Sequence, residues 1–535
     1  RLAAEPEAAW SDREIAELLR LSLLDPPRFV ADPAFRERSV AILAQSLDRQ
    51  APAALRDRLL DQLGGIPGFD FAAAERVGWA WGALPRRASE RQIDTARTLS
   101  SLRFDADDGS DGHVLAASVY SLPSSFFDAP TAAAFLAGVR TVDRERRIVV
   151  LADLAQVQAL GEKARDLHVD LLLNHGRAYS PWTRDPFSLV HGPAEKKPGD
   201  RLVVLVRPNR QAGREEDATL GEELVQDLPP ALDAGWGEPR WARSPVPFHN
   251  GQVLLTASAA WITLHTLEPR ILALLGETRV PVASFATAAG IDRYLGAARR
   301  AAAELQDLYG RPVRFVHPLP APGDAGDAGK AGDMLAARSA LFATLGGGAG
   351  YDLDSLVTLL PPVAPGPPHA LVADLAAGRA LLGRFSVDDG QALAAGYGLA
   401  PPPGTSLAAA LTAAQDAPRP AALAPFLDLV AAHLRSAGFV VDRLPLLFVP
   451  VPLLRDIQGL THPDFLLTWN NVVVETRAGQ PRAEGFSGLL PAGDAEARAV
   501  FARAGVHLDL LPALARSVIL NGGYRCASNH LRRSG

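Results

Sequence analysis

The chain has 535 residues, too many for one small core and suited to two to four domains. Hydrophobic residues make up 48% and charged residues 21%, the balance of a globular protein, and no apolar run reaches the roughly 18–20 residues that cross a bilayer. A formal net charge of -6 argues against a nucleic-acid partner, and a single cysteine excludes an intrachain disulfide and a thiolate metal cluster.

The first residue is Arg1 rather than Met, which reads as processing or trimming, so the compartment is left open. The first hundred or so residues read as helical. Ser11 and Glu14 form a capping-box pattern, followed by Ile15, Leu18, Leu19 and Leu23 at helical spacing. Further helix is expected at Ala53–Leu63, around Trp79–Trp81 and at Gln92–Leu102. The Asp- and Gly-rich stretch Phe104–Gly112 marks a boundary, giving a helical region over 1–112 and a second region over 113–535.

In that second region short β-rich runs alternate with helical ones. The pattern predicts strands at Ile148–Leu151, Val169–Leu173, Leu202–Val206, Val253–Leu255 and Val313–Val316, and helices at Ala155–Leu167 and Ile291–Leu308. Such alternation is an α/β signal. A repeat strengthens it. Phe426–Phe439 and Ala495–Val506 each run from helix through Ala-Gly into a short strand ending in Asp, and Ala164–Asp170 is a weaker copy. The repeat implies either modular architecture or two αβ units that share a common pattern. The 322–333, 361–368 and 401–404 stretches are Gly- or Pro-rich loops.

Three motifs carry chemistry. In Trp182-Thr183-Arg184-Asp185-Pro186-Phe187, Pro186 favours an extended Asp185, whose carboxylate at a loop edge suits a planar guanidinium; a surface Arg184–Asp185 loop is the plainer reading. In Asn521-Gly522-Gly523-Tyr524-Arg525-Cys526-Ala527-Ser528-Asn529, two glycines allow close backbone approach beside the thiol, and the polar neighbours favour a nucleophile over an inert buried cysteine. In Gly350–Val357, alternation puts Asp352 and Asp354 on one face of a predicted strand, where they share a cationic ligand or push one pKa upward; an N-cap and a strand edge with solvated acids is the plainer reading.

Together the motifs resemble the pentein superfamily, which includes arginine deiminases, agmatine deiminases, amidinotransferases and protein-arginine deiminases. Thr183–Phe187 resembles the "TRDPF" stretch of free-arginine deiminases, and Asp185–Val206 resembles the corresponding protein-arginine deiminase segment. Asn470–Val474 is similar to the penultimate strand of the family, and Arg525–Arg533 to its terminal catalytic motif. Asp352-Leu353-Asp354 falls where the family has His-x-Asp, and His249-Asn250-Gly251-Gln252 where free-arginine deiminases have an acidic segment. The resemblance spans residues 114–535.

The resemblance implies an α/β propeller of repeated ββαβ modules preceded by a smaller helical N-terminal region. It implies hydrolysis of a guanidino group through a Cys526 thiouronium, with Asp185 and Asp354 holding the guanidinium and Asp352 or His249 as acid/base. Trp182, Arg184 and Arg525 join the substrate site. His462, His507 and His530 are read as structural or turned away. The expected partner is an arginine-like small molecule or an arginine-containing peptide or protein, with no cofactor, metal, nucleic acid or membrane. The alternatives are an inactive pentein that binds a guanidino ligand or protein partner, and an amidinotransferase. A metalloenzyme is disfavoured because the histidines are scattered along the chain.

Overall fold

The computed structural model describes residues 102–173, 180–192, 201–206, 220–221, 224–225, 239–244, 250–319, 331–337, 352–363, 366–455, 460 and 462–534. The helices expected within 1–101, His249 and most of the 322–333 loop lie outside the described residues.

The described residues form a mixed α/β fold of small sheets. Strand β1 (His113–Ser121) pairs in parallel with β2 (Arg147–Ala152), and β2 with β3 (Val169–Leu173). Strands β4 (Phe187–Gly192) and β5 (Arg201–Val206) are antiparallel, and β6 (Arg240–Arg243) joins β5 in parallel. The same order recurs in β7 (Val253–Leu255), β8 (Ala260–Ile262) and β9 (Val313–Phe315). It recurs in β10 (Val357–Leu360), β11 (His369–Asp374) and β12 (Val440–Pro450), where an antiparallel β13 (Asp464–Thr468) is added. It recurs again in β14 (Val473–Arg477), β15 (Gln480–Phe486) and β16 (His507–Leu511). The last strand, β17 (Ser528–Ser534), returns to pair antiparallel with β1. Each of the five sheets therefore contains an antiparallel pair followed by a parallel one, with β3 and β13 as fourth strands in two of them.

A parallel pair needs a crossover long enough for a helix. Ala129–Val142 joins β1 to β2, Leu264–Leu275 and Ala288–Tyr309 lie between β8 and β9, and Pro491–Arg503 joins β15 to β16. Local chemistry starts these helices: the Asp128 side chain accepts from Thr131 N, and Thr263 forms a reciprocal capping box with Thr266. Strand β2 is apolar and buried from Ile148 to Ala152, as expected of a strand covered on both faces.

The sequence repeat has a structural counterpart. The two stronger copies are the steps from helix Pro418–Ser436 into β12 and from Pro491–Arg503 into β16, where the third strand enters in parallel. Gly438 and Gly505 turn these corners at φ 94° and 74°, and His168 does so at φ 52° in the weaker copy.

Two local expectations need correction. Asp352 and Asp354 are not on a strand: Leu353–Ser355 is a 3₁₀ turn with Asp352 at its N-cap, closed by Ser355 N donating to Asp352 O at 3.0 Å, and β10 begins only at Val357. The strand expected over Asn470–Val474 begins at Val473, which leaves both asparagines in the preceding turn. Residues 102–112 are non-helical and pack into the α/β region. Arg103 and His191 exchange backbone hydrogen bonds of 2.8 and 3.0 Å, and Asp107 N donates to Leu255 O at 2.7 Å, so the segment bridges β4 and β7.

A buried ionic network anchors the carboxyl-terminal motif. The Arg146 side chain is fully buried and forks onto both Glu484 oxygens. Tyr524 donates to Glu484 Oε2 at 2.9 Å, and Tyr120 donates to Tyr524 at 2.8 Å. Removing one partner leaves the other charge buried, so Glu484→Ala is expected to cost about 3–5 kcal/mol in denaturant unfolding. An effect under about 1 kcal/mol would show that the network contributes little.

Candidate active site

Cys526 sits in a single helical turn, Tyr524–Ala527, that leads into β17. The glycines before it are required by close approach. A Cβ on Gly522 would lie 1.8 Å from Trp182 Nε1, and one on Gly523 would lie 2.5 Å from Asn471 Cβ. The Thr183–Phe187 loop docks on the same turn. Thr183 Oγ1 donates to Ala527 O at 3.3 Å, Arg184 N donates to Cys526 O at 3.3 Å, and Trp182 Nε1 donates to Ser517 Oγ at 3.1 Å. Asn250 and Asn529 hold the loop from beneath, donating to Phe187 O at 3.1 and 2.7 Å.

The thiol lies 4.0 Å from both carboxylate oxygens of Asp354. Asn471 joins the two groups: its Nδ2 donates to Asp354 Oδ1 at 2.8 Å and to Cys526 Sγ at 3.1 Å, and its Oδ1 accepts Cys526 N at 3.1 Å. Asp352, at the head of the 3₁₀ turn, accepts from Gln252 Nε2 at 2.8 Å and lies against Gly251. Oxygens of Asp352 and Asp354 and the Cys526 sulfur all fall within 4.8 Å of one another.

Arg525 is turned inward beside the thiol. Its Nη1 donates to Asp354 Oδ2 at 2.5 Å and to Asn250 O at 3.1 Å, and its Nη2 donates to Asp107 Oδ2 at 2.8 Å and to Val253 O at 2.9 Å. Arg184 pairs with the other oxygen of Asp107. Both arginines that sequence reasoning gave to a substrate are therefore engaged with protein carboxylates.

Burial pushes the Asp354 carboxyl up to about 7, with Asp352 adding to the push and Arg525 opposing it. Burial also works against ionisation of Asp107, but Arg525 and Arg184 outweigh it and hold that carboxyl down at about 2. The thiol is pushed well above its ordinary value by burial first, then by the charges of Asp354, Asp352 and Asp185; the Asn471 amide pulls only weakly the other way. A neutral thiol among acids is thus the resting state at neutral pH.

Of the residues singled out in the sequence, Trp182, Arg184, Asp185, Asp352, Asp354, Arg525 and Cys526 meet around this turn, and His249 lies outside the described residues. His462 instead bonds Ile519 O at 2.7 Å, His507 is an exposed partner of Asp509, and His530 bonds Ser118 and Ser528. Sequence reasoning missed two residues. Asn471 was read as strand, although a pair of asparagines before an apolar run is a turn signal. Asp107 was assigned to a domain boundary, and nothing in its neighbourhood marked it as the partner of Arg525.

The chain is similar to agmatine deiminases of known structure. One, provisionally assigned as an agmatine deiminase, is 9% identical over 83% of this chain and 99% of its own, with a TM-score of 0.43. The agmatine deiminase of Enterococcus faecalis is 11% identical over 82% of this chain and 98% of its own, also with a TM-score of 0.43. No family model and no curated protein sequence matches the chain.

Because Cys526 is the one cysteine, alkylation reports on it alone. Iodoacetamide at pH 7 is expected to label the folded protein far more slowly than the unfolded one. Asp354→Asn removes a like charge 4.0 Å away, so labelling at a given pH rises in that variant. Rapid labelling of the unaltered protein at pH 7 would contradict the neutral resting thiol.

Proposed function

We propose that the protein hydrolyses the guanidino group of a small arginine-like molecule, with Cys526 as nucleophile. The observation that carries this reading is a thiol 4.0 Å from Asp354 and under the charges of three carboxylates. Nucleophilic cysteines that activate themselves sit beside cations. Here the nearby cation, Arg525, is held by Asp107 and Asp354, and the acids outweigh it at the thiol, so the further positive charge is one the substrate brings. A guanidinium bound between the acids neutralises them and lowers the cost of forming the thiolate. The fold supports the reading to this extent: the described residues form a mixed α/β arrangement of five small, similarly paired sheets.

The steps balance without a cofactor. Asp354 accepts hydrogen bonds from Arg525 and Asn471, which leaves its remaining lone pairs for a guanidinium N–H. Asp185 supplies the second carboxylate. The Cys526 proton passes to Asp354 or Asp352, and the sulfur adds to the guanidinium carbon. The C–N bond to the leaving nitrogen breaks as that nitrogen takes a proton, which gives ammonia and a thiouronium. Water, deprotonated by the same carboxylate, adds to that carbon, and the C–S bond breaks to return the thiol and a ureido product. Arg184 and Arg525 are both committed to carboxylates. The charge among the described residues therefore suits a guanidine whose other end is neutral or cationic, agmatine ahead of free arginine.

The test is ureido-product release from agmatine, arginine and an arginine-containing peptide. Agmatine is expected to give the highest kcat/KM, with Cys526→Ala lowering it at least about 10³-fold. A protonated Asp354 cannot hold a cation, so kcat/KM is expected to rise about tenfold between pH 6 and pH 8, as its carboxyl ionises around about 7. No product from any of the three, together with no labelling of Cys526 by a haloacetamidine, would overturn the assignment. Because Arg525 already occupies Asp354, binding of agmatine without turnover is the second reading, and calorimetry beside the product assay separates the two.

A further inference from the structure

A second cluster of chemically active side chains lies outside the thiol site. His113 opens β1, His191 lies in β4 and Asp105 lies in the segment before β1. His113 Nδ1 is 2.7 Å from Asp105 Oδ1, and His191 Nε2 is 3.1 and 3.0 Å from Asp105 Oδ1 and Oδ2. One atom from each of the three residues falls within 4.8 Å of the other two. Three donors, two imidazole nitrogens and a carboxylate oxygen, thus converge from two stretches of chain, 105–113 and the β4 strand.

We infer that Asp105, His113 and His191 form a binding site for a divalent transition-metal ion, Zn²⁺ foremost. The donor set is the one such ions prefer, and a hard cation such as Ca²⁺ would want more oxygens. Each imidazole turns one nitrogen to the cluster, so its other nitrogen can carry the proton while the first coordinates. The side chains of His191 and Asp105 are 4% and 9% exposed, but that of His113 is 29% exposed, which leaves an open side for entry and for a water ligand. The local charge is mixed. The positive charge of Arg532 reaches Asp105 and His113 and opposes a cation, whereas Asp111 Oδ2, 3.7 Å from His113 Nδ1, favours one. An ion here would tie residues 102–112 to β1 and β4, and the same segment delivers Asp107 to Arg525. The role is therefore structural support of the thiol site rather than chemistry.

The competing reading is a histidine–aspartate–histidine hydrogen-bond chain that needs no metal. Chelator-treated protein is titrated with Zn²⁺, with bound metal counted and thermal unfolding followed. One equivalent and a raised Tm are expected. His113→Ala, at the most exposed of the three ligands, should weaken binding at least tenfold, with its circular dichroism unchanged. His191→Gln gives a second removal should His113→Ala misfold. Cys526→Ala must keep the equivalent, because the other cluster near that thiol includes Asp352 and Asp354. Binding lost in Cys526→Ala, binding unchanged in both histidine variants, or no bound metal in the unaltered protein would each overturn the inference. Metal binding is read without substrate, so its failure leaves the hydrolase reading standing, and the reverse.

Discussion

The Arg525 guanidinium holds the site together. It lies between Asp354 from the turn before β10 and Asp107 from the segment before β1, and it also caps the carbonyls of Asn250 and Val253. Two buried carboxylates without it would repel one another and lose much of their hydration. With it, stretches more than a hundred residues apart in sequence share one polar centre. Cys526 is the next residue along, so the same cation fixes where the thiol stands.

That arrangement sets up an imbalance beside the thiol. Arg525 spends its charge on Asp107 and Asp354, and Asp352 and Asp185 still act on the sulfur. The resting thiol is neutral because ionising it would add one more anion to a buried cluster. A cation placed among these acids would lower that penalty. Burial brings the Asp354 carboxyl to about 7, so this group changes charge near neutral pH.

The fold supplies the meeting point. Five sheets of like pairing bring loops from different modules together, and the return of β17 to β1 ties the carboxyl-terminal motif to the first sheet. Tyr524, two residues before Cys526, is bound to the buried Arg146–Glu484 pair through Glu484, so the turn that carries the thiol rests on a buried ionic base. Gly522 and Gly523 complete the fit, since any side chain there would collide with Trp182 or Asn471.

Much of this was legible along the chain. Periodicity marked Val169–Leu173 and Val253–Leu255 as strands with the bounds they have, because a strand's two-residue pattern and its turn residues are local. The helix-to-strand repeat was visible because Gly438 and Gly505 turn equivalent corners. Cys526 and Asp354 stood out by residue type and spacing. Other features had no local signal. Asp352-Leu353-Asp354 alternates like a strand, yet a hydrogen bond to Ser355 curls it into a turn, and that choice follows from packing against Gly251 and Gln252 a hundred residues earlier. The pairing of Arg525 with Asp107, the clamp by Asn471, and the reach of His191 to Asp105 are contacts across long separations. Sequence sets what each residue can donate, accept or bury; only the closed tertiary structure decides which of those capacities face one another.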